Sequence, residues 1–158
     1  MTPDYEKLFS KAIFVRGALL NDVIFLEKVI DNWLAVYFGK DKIRQSEIFE
    51  LVFCNESLTY NSKIQIFCAI VKKHCPEFDS KSPKLKSDLE EIGKERNRFA
   101  HWMLDTSEEQ VKSNELRLLR SKDFKDYEHY TNTRITKLTE LVDKYKFSIG
   151  SLDQPPVS

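Results

Sequence analysis

Cysteine is scarce. The 158-residue chain has three, Cys54, Cys68 and Cys75, an odd number at no metal-ligand spacing. They read as buried or incidental thiols in a reducing cytosol, not as a disulfide frame. His74 and Cys75 are adjacent but have no second pair to complete a site, so neither a metal nor another cofactor is expected. Glycine and proline number only 4 and 5, which leaves room for long uninterrupted helices. Charge of one sign is not in excess either, since 25 Lys+Arg against 25 Asp+Glu give a formal net charge of zero at pH 7. A chain without a global basic field has nothing to hold nucleic acid non-specifically, which counts against an ordinary DNA-binding repressor. A small RNA cleft needs only local charge. No apolar run approaches the ~18 residues of a membrane helix, and the charged segment Met1–Lys7 is no secretory signal. A cytoplasmic protein with no membrane partner is expected. Internal repeats, a glycine-rich phosphate loop and a carboxylate pair suited to acid–base work are all missing.

What is present is apolar surface: 41% hydrophobic residues, with 11 Phe and 6 Tyr, enough for the core of one domain. That domain is expected to span residues 1–147, with 148–158 as a flexible tail. Leu8, Ala12, Val15, Leu19, Val23, Leu26, Ile30, Trp33 and Tyr37 recur at steps of three and four and predict a long helix from Asp4 to about Phe38. Gly39 suits the left-handed position after it. Ser46–Phe53 reads as a short helix with Ile48, Phe49 and Val52 inward. Thr59 or Asn61 caps the next helix, whose stripe is Ile64, Phe67, Cys68 and Val71, and the cations Lys72, Lys73 and His74 close it. Pro76–Lys81 reads as a polar loop. Ser82–Pro83 then starts a helix with Leu85, Leu89, Ile92, Phe99 and Met103 on its buried face. Leu116–Arg120 is an extended piece, and the basic run Arg117, Arg120, Lys122, Lys125 a solvated loop. A last helix, from about Lys125 to Phe147, carries Tyr127, Tyr130, Ile135, Leu138, Leu141, Val142 and Tyr145 inward, with His129 exposed. The class is all-α, a bundle of about four to five helices.

The chemistry concentrates in Glu95-Arg96-Asn97-Arg98-Phe99-Ala100-His101-Trp102. Asn97 and His101 are four residues apart, about 40° from each other around the helix axis, and share a face opposite Phe99. Arg96 is five residues from His101, about 140° away, so a straight helix does not aim both at one point. Histidine exchanges protons near neutral pH, arginine offers a fixed charge and a fork suited to phosphate, and asparagine orients a ring or a substrate. Together they suit metal-free RNA cleavage, with His101 moving a proton at the ribose 2′-hydroxyl and Arg96 steadying charge on the phosphate. One histidine is thin for that work; two copies across a two-fold axis supply two. Gly93, on the Asn97/His101 side, suits the close approach of another helix. Arg16 either meets phosphate or pairs with Glu27 or Asp22, and pairing is the commoner fate of such a charge. The same octapeptide also admits a purely structural account. Asn97 bonds His101, Glu95 pairs with Arg98 or Lys94, and Trp102 covers an apolar edge.

The run Arg96-Asn97-Arg98-Phe99-Ala100-His101 resembles the signature of the HEPN superfamily, an arginine, a polar residue, three further residues and a histidine. The helical order, with Gly17–Glu27 on the first helix and Leu58–Ile64 opening the next, is most similar to the branch of mannitol-operon repressor-like proteins. The resemblance covers roughly residues 8–104. It implies an all-α bundle dimerising through the motif helices, with Gly93, Asn97 and Trp102 at the interface. It further implies a composite ribonuclease site of Arg96, Asn97 and His101; Arg98 and Arg16 are candidate substrate contacts read from the residues themselves. Many members are metal-independent ribonucleases acting as toxins or defence components, with an antitoxin or regulatory partner. Others are non-catalytic regulatory or interaction modules.

Overall fold

The apolar repeat from Leu8 onward winds a 36-residue helix, α1 (Pro3–Phe38), and the rest of the chain packs around it. The computed structural model describes residues 3–55, 58–120 and 125–154. After α1 come α2 (Lys42–Ile48), a π-helical turn (Phe49–Phe53), α3 (Tyr60–His74) and α4 (Pro76–Lys81). Then follow α5 (Leu85–His101), β1 (Met103–Leu104), α6 (Glu108–Ser113), β2 (Leu116–Leu119), β3 (Tyr127–Tyr130) and α7 (Asn132–Gly150). The molecule is mainly α, and its small antiparallel sheet has the order β1-β2-β3. One core joins Leu26, Ile30 and Leu34 of α1 to Ile64 and Phe67 of α3, Leu89, Ile92 and Phe99 of α5, and Val142 and Tyr145 of α7. No helix among the described residues is long and apolar enough to cross a membrane.

Local signals account for most boundaries. Asp41 caps α2 by accepting from the Ile43 and Arg44 amides at 2.9 and 3.0 Å. Thr59 caps α3 and Thr131 caps α7, each accepting from an amide three residues on at 3.2 Å. Gly39 does not take a left-handed conformation; no described glycine has positive φ. It is needed for space instead, because a Cβ there would lie 2.5 Å from Gln45 Cγ and 2.9 Å from the Ala35 oxygen. The expected short helix starts earlier, at Lys42, and buries Phe53, while Val52 is exposed. Pro76 opens a helix where a loop was expected, since proline suits the first helical position. Ser82-Pro83 forms a turn before α5, the Leu85 amide donating to the Ser82 carbonyl at 2.9 Å. Met103 leaves the buried stripe for β1 and is half exposed.

The extended piece at Leu116 is β2, and its pairing overrides a helical spacing further on. Tyr127 and Tyr130 lie on β3, Tyr130 opposite Leu116 and His129 opposite Arg117, so α7 starts five residues after its first aromatic. Of the basic run, Arg117 pairs with Asp105 and Arg120 with Asp126 at 3.0 Å; Lys122 lies outside the described residues. The expected tail boundary at 147 falls inside α7. Beyond it, the Leu152 carbonyl accepts from Trp33 Nε1 at 3.2 Å and Gln154 donates to the Trp33 carbonyl at 3.0 Å. Residues 155–158 lie outside the described set.

Asp105 fastens the sheet to α6. Burial pushes its pKa up, but the Ser107 amide and the Arg117 guanidinium outweigh that and hold it below the ordinary aspartate value. A depressed folded-state pKa stabilises above the unfolded-chain value and loses that stabilisation as pH falls through the folded one. The wild-type advantage over Asp105→Asn in urea midpoint is therefore expected to be full at neutral pH and to shrink below about pH 4.

Candidate functional site

Helix α5 turns Leu85, Leu89, Ile92, Glu95 and Phe99 into the core and leaves Asn97, Ala100 and His101 in solvent. It runs unbroken to His101, where Trp102 caps it in extended conformation. The angular separation of Arg96 from His101 therefore stands, and one chain does not bring them to one point. Asn97 and His101 share the exposed face without a hydrogen bond between them. Asn97 Oδ1 instead accepts from Arg96 Nη1 at 3.4 Å. His101 makes no hydrogen bond or ion pair among the described residues.

Arg96 lies between two hollows. One, of about 670 Å3, runs from Gly93, Lys94 and Asn97 to Thr59, Tyr60 and Asn61 at the N terminus of α3. The other, about 360 Å3, reaches Glu27 and Lys63. The remaining Lys and Arg side chains of α5 have carboxylate partners: Lys86 with Glu90 at 3.9 Å, Lys94 with Glu91 at 3.7 Å, Arg98 with Glu95 at 2.7 Å. Arg96 has none among the described residues. A half-buried arginine with no internal anion, beside a helix N terminus, offers an unspent charge to phosphate.

Four expected site residues have other work. Arg98 is saturated, bonded to Glu95, 3.1 Å from Glu128 and 5.8 Å from the Trp102 ring, so it is not free for substrate. Arg16 pairs with neither Glu27 nor Asp22. It donates to the Trp102 carbonyl and so ties α1 to the end of α5, and burial lowers its pKa from the ordinary arginine value. Trp102 is thereby engaged at both its carbonyl and its ring. Gly93 does admit a close neighbour, but that neighbour is the chain's own Tyr60. A Cβ on Gly93 would sit 2.7 Å from Tyr60 Cε1, and Gly93 is buried, so it cannot meet a second copy. The Tyr60 hydroxyl is pinned to the Leu89 carbonyl at 3.1 Å, so the ring cannot swing away without losing that bond. Gly93→Ala gains about 1 kcal/mol of helix propensity but overpacks the contact. A net loss of about 1–2 kcal/mol in urea unfolding is expected.

No family model, curated protein or solved structure matches this chain.

Two buried charge clusters frame the site, and of their contacts only the Glu95–Arg98 pair was expected. Beneath the motif, the Glu95 carboxylate accepts from the Tyr130 hydroxyl, from Arg98 at 2.7 Å and from Arg134 at 2.8 Å. Burial and that carboxylate push the Tyr130 pKa far up, keeping the phenol a donor. Beside the smaller hollow, the Lys63 ammonium donates to Glu27 at 2.7 Å and to Asp31 at 3.0 Å. These clusters hold α5 to β3 and α7, and α3 to α1. Among the described residues no group of three or more His, Cys, Asp or Glu could hold a metal ion.

Proposed function

We propose that this chain is a metal-independent endoribonuclease of the HEPN type, acting as a homodimer with a composite site. The observation that carries the reading is the state of Arg96. It is the cation of α5 without a carboxylate partner, it lines a cleft, and it touches Asn97, one turn from an exposed and unbonded His101. Transesterification of RNA needs a base at the 2′-oxygen and an acid at the departing 5′-oxygen. The 2′-oxygen attacks phosphorus, the bond to the 5′-oxygen breaks, and a cyclic phosphate and a free 5′-hydroxyl result. One His101 supplies one of those proton transfers, and the copy from a second subunit supplies the other. Arg96 meets the charge building on the phosphoryl oxygens, and Asn97 orients substrate or ring. Such an activity in the cytoplasm calls for a neutralising protein partner, as in toxin–antitoxin pairs.

A second reading keeps the face without the chemistry, as a regulatory or interaction module. It is favoured by the placement of the other two histidines. His74 lies at the end of α3 with its ring 5.9 Å from Tyr37, and His129 is on β3, 3.7 Å from Glu115. Neither stands beside His101 to share its task. Incubating wild type and His101→Ala with mixed RNA in EDTA separates the two. Cleavage by wild type with a loss of about 10²–10⁴ in the variant is expected of the nuclease. RNA retained intact by both proteins leaves the module. Equal cleavage by both sinks the assignment of His101.

A further inference from the structure

Between Leu8 and Leu26, α1 carries three charged residues, Lys11, Arg16 and Asp22, and each is spent inside its own chain. Lys11 donates to the Asn114 carbonyl at 2.8 Å, Arg16 donates to the Trp102 carbonyl, and Asp22 accepts from Lys146 at 2.8 Å. The outward face is left without charge. On it Phe9, Ile13, Phe14, Ile24 and Phe25 are 45, 59, 76, 47 and 58% exposed. These five side chains put on the order of 500 Å2 of apolar surface in water, as much as the largest patch of a typical monomer. With Ala18, Leu20 and the two polar residues Ser10 and Asn21, the face approaches the ~800 Å2 per partner of a stable protein interface.

Gly17 sits at the middle of this face, and no described residue of the chain requires it. A Cβ there meets no atom within 4 Å, and its φ is not positive. Glycine inside a helix is destabilising relative to alanine, so a close approach from outside the chain is the remaining use for it. Two apolar pairs are placed symmetrically about it, while Ile13 answers to Asn21 and Ser10 to Ile24. Phe9 and Phe25 lie eight residues either side of Gly17, and Phe14 and Leu20 lie three either side. We propose that α1 packs antiparallel against α1 of a second copy of this chain, crossing at Gly17 on a two-fold axis. Phe9 then lies level with Phe25 of the partner subunit along the helices, and Phe14 level with Leu20 of the partner subunit, on the two flanks of the crossing. A lipid surface suits the face less well, because among the described residues only Lys7 is left unbonded beside it for anionic headgroups, while Lys11, Arg16 and Lys28 are bonded within the chain.

The crossing also places the motif. Arg16 adjoins Gly17 and holds the Trp102 carbonyl, so it fixes the end of α5 beside the axis. Two copies crossed at Gly17 therefore bring both α5 C termini, each with its His101, to one dyad. The interface stands by itself; its consequence for cleavage rests on the nuclease reading above.

The test is sedimentation velocity on the full chain, with circular dichroism to verify folding, for wild type, Ile13→Glu and Gly17→Phe. Both positions are open in the single chain, so both variants keep the fold. A wild-type dimer whose dissociation constant rises on the order of 100-fold or more in both variants is the expected result. A monomeric wild type at micromolar concentration, a dimer unaffected by either substitution, or a monomer that co-sediments with anionic phospholipid vesicles would each overturn it. RNA cleavage by the same samples keeps the two proposals apart. An α1 dimer that leaves RNA intact sinks the nuclease alone, a wild type that cuts RNA and stays dimeric in both variants sinks the interface alone, and a monomeric wild type that cuts RNA sinks the interface and the composite site together.

Discussion

Lys63→Met is expected to lower unfolding stability by about 3–5 kcal/mol, enough to threaten the fold of a domain this size. Lys63 is 3% exposed and Asp31 0%, and the lysine bridges Asp31 to Glu27. Burial already pushes the Asp31 pKa up, against the pull of Lys63 and Lys28. Without Lys63 the Asp31 carboxylate keeps only Lys28, a half-exposed partner at 3.3 Å. Its folded-state pKa then rises further above the unfolded value. A raised acid pKa costs stability as pH rises through it, so the deficit of Lys63→Met is expected to be smaller near pH 4 than at neutral pH. Removing Asp31 as well, in Lys63→Met with Asp31→Leu, is expected to recover part of the loss, because the fully buried carboxylate is gone while Glu27, whose side chain is 17% exposed, still lacks Lys63. Urea midpoints at the two pH values check all three statements. An unchanged midpoint in the single variant contradicts the account of the cluster.

The helices were legible because their stripes are regular. Leu8 to Tyr37 on α1, and Leu85, Leu89, Ile92 and Phe99 on α5, keep the spacing of a helix buried along one side. The sheet was half legible. Leu116–Leu119 alternates buried and half-buried residues, but Tyr127 and Tyr130 are spaced three apart, and only their pairing with β2 makes that segment a strand. The buried charges stayed hidden for a different reason. Glu95 occupies a core position, three residues after Ile92 and four before Phe99; the spacing offered Arg98 as a partner, but a single sequence does not show that Tyr130 and Arg134 meet it there as well. Lys63 likewise shares the stripe of Phe67, with its partners on α1. At the motif, residue types indicated chemistry but not which arginine was free. Arg98 is consumed by Glu95 and Glu128, and Arg16 by a main-chain carbonyl, so only Arg96 is left for a ligand.

That division of labour makes the second large prediction. On the nuclease reading, Arg96→Ala is expected to lower the cleavage rate by about 10²–10³, the usual cost of one donor aimed at developing charge, with little change in stability. Arg98→Ala is expected to do the reverse. It strips a charged partner from Glu95, which is 4% exposed, and lowers stability by about 2–4 kcal/mol, while per-molecule cleavage by the folded fraction persists. Cleavage time courses beside thermal unfolding curves measure both. If Arg98→Ala abolishes cleavage without destabilising and Arg96→Ala does neither, the roles assigned to the two arginines are wrong.

The central claim is that two copies of α5 share one cleft. Wild type is mixed with a large excess of His101→Ala protein, allowed to exchange subunits, and assayed on RNA in EDTA. A mixed dimer carries one intact His101 where cleavage needs two, so cleavage per wild-type subunit is expected to collapse as the variant is added. Cleavage per wild-type subunit that is unchanged by the excess, with subunit exchange demonstrated, contradicts the shared cleft.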